Sequence, residues 1–246
     1  MIAAAEKQHI PGLRQLWKLA FGDTDEFLDS FFRNAFSFDR CRCILEGELV
    51  TAALYWFDCE AGGRKMAYLY AVATHPEHRG KGLCRTLMEN TRDHLKEQGY
   101  SGILLVPQQE GLRRMYGAMG YRDATRVSEP VFEAGTPVPL RPVDAQTYGR
   151  LRRQYLPEGG VVQEGENLRF LASYARFFAG EDFLLAISGK DVVELLGNRE
   201  QAPGILGSLG LAEAKFRMPG EARPYAMFLP LEDDVPAPAY FGWAFD

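Results

Sequence analysis

Long hydrophobic runs are what this sequence most plainly lacks. Its 246 residues hold no apolar stretch approaching the roughly 20 residues that span a bilayer, and Met1-Ile2-Ala3-Ala4-Ala5 runs straight into Glu6-Lys7-Gln8 instead of a secretory core. The expectation is a cytoplasmic protein with no membrane partner. Positive charge is short as well: 28 Lys and Arg stand against 33 Asp and Glu, a formal net charge of −5. That argues against a nucleic-acid surface and favours a cationic or neutral partner. Cysteine is sparse. The four residues Cys41, Cys43, Cys59 and Cys84 have no paired-loop or zinc-knuckle spacing, which excludes a disulfide framework and agrees with a reducing compartment. His75 and His78 flank Pro76-Glu77 with no further ligand cluster nearby, so no metal is expected.

What is present reads as ordinary folded protein. A composition of 46% hydrophobic and 25% charged residues suits a globular chain, and this length accommodates one large or two small domains, read here as two. From the amino end, Leu13, Leu16, Trp17 and Ala20 form a helical stripe closed by Gly22. Asp23-Thr24-Asp25 then offers a cap for a second helix bearing Phe27, Leu28, Phe31 and Phe32, and aromatic stripes of this kind usually mean core. Cys43 to Glu46 and Leu49 to Trp56 read as a hairpin turning at Gly47, with Ala61-Gly62-Gly63 as a second turn. An antiparallel meander thus feeds the next strand.

The most informative stretch runs from Met66 to Tyr121. MAYLYAVAT is a strand pattern ending at His75-Pro76, and the basic turn Arg79-Gly80-Lys81-Gly82-Leu83-Cys84 follows. Leu83, Leu87, Thr91 and Leu95 then recur on one face of a helix stopped by Gly99, and Gly102 to Val106 reads as a buried strand parallel to the first. Glycines let successive backbone N–H groups converge on one point, and the opening helical turn adds unpaired donors and the positive end of its dipole. Such a turn suits phosphate. A Walker-type loop fails because Gly82 and Leu83, not Ser or Thr, follow Lys81; a dinucleotide fingerprint fails because the third glycine and the acid after the next strand are missing. A solvated basic turn without a ligand is the remaining alternative. After Pro107, a helix from about Glu110 to Met119 carries Leu112, Met115 and Met119 and ends at Gly120.

The string VATHPEHRGKGLCRTLM, followed by LLV and GLRRMYGAMGY, resembles the GNAT superfamily of acyl-CoA-dependent N-acyltransferases over about a quarter of the chain. In that family an (Arg/Gln)-x-x-Gly-x-(Gly/Ala) loop holds the pyrophosphate of coenzyme A. A later Asn-x-x-Ala-x-x-Leu-Tyr-x-x-x-Gly-Phe helix supplies a tyrosine near the thioester sulfur. Arg79 and Gly82 match the first motif, with Cys84 where Gly or Ala is usual. Tyr116 and Gly120 match the second, with Gln109, Leu112, Met115 and Tyr121 in place of its Asn, Ala, Leu and Phe.

The resemblance implies an α/β (α+β) fold: a mixed, mostly antiparallel sheet with a central, splayed parallel strand pair flanked by helices, the acyl-CoA N-acyltransferase fold. It implies acetyl-CoA as co-substrate. Backbone groups near Val72, Ala73 and Thr74 would pair with the pantetheine amides; Arg79 and the N–H groups of Gly80, Lys81, Gly82, Leu83 and Cys84 would hold pyrophosphate. Lys81 and Arg85 add charge there or stand solvated. Cys84 at a helix start invites a nucleophilic role, but its position asks chiefly for a small side chain. Tyr116 would protonate the departing thiolate, with core packing as its plainer role.

The implied reaction is direct transfer of an acetyl group to a primary amine of a small molecule or peptide. Some family members place a glutamate early in the central strand as base, and Met66-Ala67-Tyr68-Leu69-Tyr70 holds no acid. Asp58 and Glu60 precede that strand, Tyr68 and Tyr70 offer a water relay, and resemblance to tandem acetyltransferases implies a carboxylate at Asp246, approached through Tyr240-Phe241-Gly242-Trp243-Ala244-Phe245. The missing strand acid keeps open a catalytically silent, acyl-CoA-binding alternative, and a third in which the loop is vestigial and the chain serves assembly.

Between Glu133 and Pro142 the chain turns rich in Gly, Pro and Thr, the expected passage between a catalytic domain over 1–134 and a smaller α+β domain over 135–246. The second half repeats the order helix, helix, strand, strand: Tyr148 to Tyr155, Asn167 to Phe178, Phe183 to Ser188, then Asp191 to Leu196. It lacks a basic Gly-x-Gly turn and resembles a degenerate GNAT-like repeat. Exposed sheet edges leave room for a homodimer.

Overall fold

A computed structural model describes residues 1–245. Seven strands form the main sheet, in the spatial order β1 (Ile2–Ala4), β2 (Cys41–Glu46), β3 (Leu49–Ala61), β4 (Arg64–Thr74), β5 (Gly102–Leu105), β16 (Met227–Pro230) and β6 (Arg122–Asp123). Neighbours are antiparallel except β4 and β5, which are parallel. The turn between β3 and β4 holds Gly62 at φ +57° and Gly63 at φ +73°, a left-handed pair that side chains would strain. β3 is buried from Val50 to Phe57 without alternation because helices cover both of its faces.

On one face lie α1 (Ile10–Phe21) and α2 (Asp25–Asn34). Gly22 ends α1 at φ +76°, and the Thr24 hydroxyl caps α2 by accepting from the Phe27 N–H at 3.3 Å. Leu13, Leu16, Trp17, Leu28 and Phe31 pack there against Tyr55, Phe57 and Tyr68. The opposite face carries α3 (Leu83–Glu97) and α4 (Glu110–Gly117), whose Leu87, Leu95 and Tyr116 pack against Leu54, Trp56, Leu69 and Leu105.

The chain continues with β7 (Arg126–Ser128) and β8 (Val131–Glu133), and the second half then runs β9 (Arg141–Val143), α5 (Ala145–Tyr155), α6 (Glu166–Ala172), β10 (Ala175–Ala179), β11 (Phe183–Ser188) and β12 (Asp191–Gly197). It continues through α7 (Ala202–Leu209), β13 (Glu213–Lys215), β14 (Met218–Pro219) and β15 (Arg223–Pro224) before β16. A four-stranded antiparallel sheet orders β12, β11, β10 and β9. The sequence predicts one helix from Asn167 to Phe178, and the structure corrects this: α6 stops at Ala172 and the rest is a strand. Ala175, Phe177 and Ala179 are buried while Arg176 is exposed, a period of two, and both edges of β10 find partners in β9 and β11. β16 then returns to the first sheet, between β5 and β6. No helix among the described residues is long and apolar enough to cross a membrane.

Candidate active site

Parallel pairing of β4 with β5 ends after Met66–Gly102, Ala67–Ile103 and Tyr68–Leu104. Beyond Tyr68 the strands part. On the other side of β4, Ala53 faces Ala73 and Tyr55 faces Tyr70, so Ala71 and Val72 together oppose Leu54 in a bulge, with Ala71 at φ +48°. The splay opens a cleft of about 360 Å³. It passes through the sheet, since Trp17, Tyr68 and Phe245 from the α1–α2 face and Leu105 and Tyr116 from the α3–α4 face all line it. Leu69 to Val72 form one wall and Leu105 to Gln108 the other.

The basic turn sits between the end of β4 and α3. His75 opens it by accepting from the Glu77 N–H through Nδ1 at 3.4 Å. Gly80 and Gly82 have φ of +74° and +78°, and a Cβ on either would meet nothing within 4 Å. These glycines therefore serve backbone conformation, and the loop's face is open. Gly82 starts α3 with no side chain capping it, and the first helical bond at this end runs from the Thr86 N–H to the Gly82 carbonyl at 3.0 Å. The N–H groups of Leu83, Cys84 and Arg85 precede it, with the positive helix end behind them. Arg79 donates from Nε to the Thr74 carbonyl at 3.3 Å, which ties it to the strand end; Lys81 is exposed, and exposed Arg85 pairs with Glu89 at 3.8 Å. This donor set fits a diphosphate.

Of the three strand residues expected to face pantetheine, Val72 lines the cleft. Ala73 and Thr74 stand in the ladder opposite Ala53 and Ala52. Tyr116 is 6% exposed within the core and also lines the cleft. Burial pushes its phenol well above the ordinary range, with the neighbouring Cys84 adding to the rise, so it keeps its proton. The Cys84 thiol is raised by burial too and stays neutral, which suits packing rather than nucleophilic attack.

The carboxylates suggested before β4 lie elsewhere. Asp58 accepts a short hydrogen bond from Tyr100 and stands 3.6 Å from Arg40, while Glu60 is exposed; neither lines the cleft. Asp246 lies outside the described residues. Tyr68 and Tyr70 do line the cleft, and Tyr70 donates its hydroxyl to the Phe245 carbonyl at 2.7 Å. Sequence reasoning missed Asp23, the one charged side chain among the described lining residues, held by the Trp17 indole N–H at 2.7 Å. Its place in a helix-capping run disguised it. Gln108 was likewise unmarked. Cys41, Cys43 and Cys59 are buried and unpaired, and no group of three or more His, Cys, Asp or Glu among the described residues could hold a metal ion.

A model of the Acetyltransferase (GNAT) domain matches residues 1–124, half of the chain, and the protein belongs to the GNAT acetyltransferase family. Among curated relatives, mouse N-acetyltransferase 8 is 32% identical over 62 residues, covering 24% of this chain and 27% of that protein. Probable N-acetyltransferase family 8 member 5 from mouse is 33% identical over 70 residues, covering 27% and 30%. The match thus spans less than a third of either relative's length. Among solved structures, a GCN5-related N-acetyltransferase from Kribbella flavida superposes with TM-score 0.72 at 18% identity, over 94% of this chain and 72% of that one. A putative acetyltransferase from Pyrococcus horikoshii gives 0.68 at 14%, over 98% and 93%. These distant structures share the fold: a mostly antiparallel sheet with one parallel pair and flanking helices.

Proposed function

We propose that this protein transfers the acetyl group of acetyl-CoA to a primary amine of a small molecule or peptide by direct attack. The observation that carries the reading is the cleft itself. It lies along the free edge of β4 from Leu69 to Val72 and reaches the buried Tyr116, and the open, uncapped glycine loop follows the end of the same strand at the start of α3. Arg79 and the N–H groups from Gly80 to Arg85 hold the diphosphate, with Lys81 beside them. Val72 and its neighbours Ala73 and Thr74 present β4 to the pantetheine arm, and a strand N–H polarises the thioester carbonyl as negative charge grows on it.

The amine nitrogen bonds to the carbonyl carbon, the carbon–sulfur bond breaks, and Tyr116 gives its proton to the leaving sulfur. The proton lost by the amine passes to a carboxylate, for which Asp246 is the candidate, and Tyr70 and Tyr68 line the cleft. An apolar, ring-walled cleft whose charged described lining residue is acidic selects a cationic or neutral acceptor over an anionic one. Residues 1–134 form the catalytic unit in this reading and 135–246 a degenerate repeat that lends β16 to the first sheet.

The test is acetyl-CoA-dependent thiol release with a panel of amines, beside a calorimetric titration of acetyl-CoA. Micromolar binding with amine-dependent thiol release supports the reading. Binding without release by any amine leaves a silent acyl-CoA-binding protein, and no binding at all removes the site.

A further inference from the structure

We propose that Glu194 is a positioning residue for the cleft: it clasps the chain from Tyr240 to Phe245 and so sets where Ala244 and Phe245 line it. The proposal rests on the cleft being the transfer site. Glu194 lies on β12, in the other sheet, and is fully buried. It accepts two bonds from Arg152, at 2.8 and 2.9 Å, and one from the Tyr148 hydroxyl at 2.6 Å. These come from α5 and satisfy the ion pair locally. Two more come from the carboxyl-terminal segment, the Trp243 indole N–H at 2.9 Å and the Tyr240 hydroxyl at 3.1 Å. One carboxylate therefore joins the second half's core to the segment whose Phe245 lines the first half's cleft.

The segment between those contacts is shaped to the clasp. A Cβ on Gly242 would fall 1.8 Å from Glu194 Oε1 and 2.7 Å from Arg152 Nη2, so only glycine lets the backbone come this close. The Arg152 guanidinium lies 4.3 Å from the Trp243 ring centroid, and buried Gln163 brackets the Trp243 backbone, accepting from its N–H at 3.2 Å and donating to its carbonyl at 3.0 Å. Tyr225 accepts from the Ala244 N–H at 3.1 Å. What is held this way is the Phe245 ring, 4.6 Å from Phe57 and 5.1 Å from Phe170, and the carbonyl that receives the Tyr70 hydroxyl. A buried, fully bonded ion pair has one geometry available, which transmits position without itself touching substrate.

The experiment compares Gly242→Ala, Glu194→Gln and Trp243→Phe with the parent chain, reading hydrogen exchange at the Trp243 and Ala244 amides and steady-state kinetics with acetyl-CoA. Exchange at these amides is expected to quicken by about tenfold or more in all three variants. Turnover should fall by about tenfold while the KM for acetyl-CoA stays within about twofold, because the glycine loop is untouched. Released amides with unchanged turnover overturn the proposal, as do amides that stay protected in Gly242→Ala. A double variant with apolar residues at both Arg152 and Glu194 separates positioning from stability: recovered melting temperature with the segment still released supports the clasp, and recovered melting temperature with full turnover overturns it. If Glu194→Gln fails to fold, Gly242→Ala and Trp243→Phe decide alone. Should the parent release no thiol with any amine, the functional reading fails while the exchange measurement still tests the clasp.

Discussion

The two halves handle buried polarity in opposite ways. In the first half, charge is kept at the surface: Arg79, Lys81 and Arg85 on the glycine loop are exposed, and Asp23 alone among the described residues lining the cleft is ionic. The second half buries Arg152 and Glu194 outright, at 2% and 0% exposure, and surrounds them with Tyr148, Tyr240, Trp243 and the Val161 carbonyl. An open donor set can accept and release a ligand, because water replaces the ligand when it leaves. A dry, completed network cannot, since removing one member strands the others. The first arrangement suits binding and the second suits holding a shape.

That contrast is most sharply broken at Arg152. Arg152→Ala leaves a buried carboxylate without its cation and should cost about 3–5 kcal/mol in chemical denaturation, whereas Arg79→Ala should stay within about 0.5 kcal/mol. Equal losses would erase the distinction. At the cleft, Tyr116→Phe should lower turnover by about a hundredfold or more with little change in melting temperature, as expected for loss of a general acid. Since burial raises the Tyr116 phenol, its acid form persists as pH climbs, and the parent's turnover should show no loss from this group below about pH 10. A falling limb near neutrality that vanishes in Tyr116→Phe would contradict this. Arg79→Ala should weaken acetyl-CoA by about 1.5–3 kcal/mol in calorimetry, the range of a hydrogen bond to a charged group, with the deficit shrinking in high salt. The smallest expected effect concerns Cys84: its raised thiol should react with a thiol reagent more slowly than free cysteine in the folded protein and at the ordinary rate once unfolded.

Much of the first half is legible in sequence because its signals are local. The stripe Leu13, Leu16, Trp17, the Thr24 cap, the turns at Gly47 and Gly62-Gly63, and the spacing from Arg79 to Cys84 each lie within a few residues. The second half is harder. Ala175 to Ala179 follows a helix directly and carries Phe177 and Phe178, so a helical continuation looks as good as a strand until β9 and β11 provide edges for it. β16 offers only Met227–Pro230, four residues, and nothing in them shows that they pair with β5, more than a hundred residues earlier.

Sequence alone determined the family motifs, the strand–turn–helix that presents backbone donors, and the tyrosine placed on the following helix. All of these depend on short-range spacing and on where glycine permits the chain to turn. Tertiary structure decided that β4 and β5 part beyond Tyr68, that Asp23 and Phe245 come to one cleft, and that Glu194 grips Tyr240 and Trp243. Those are meetings between residues far apart in the chain, chosen by which faces bury together and which polar groups must find partners once water is gone.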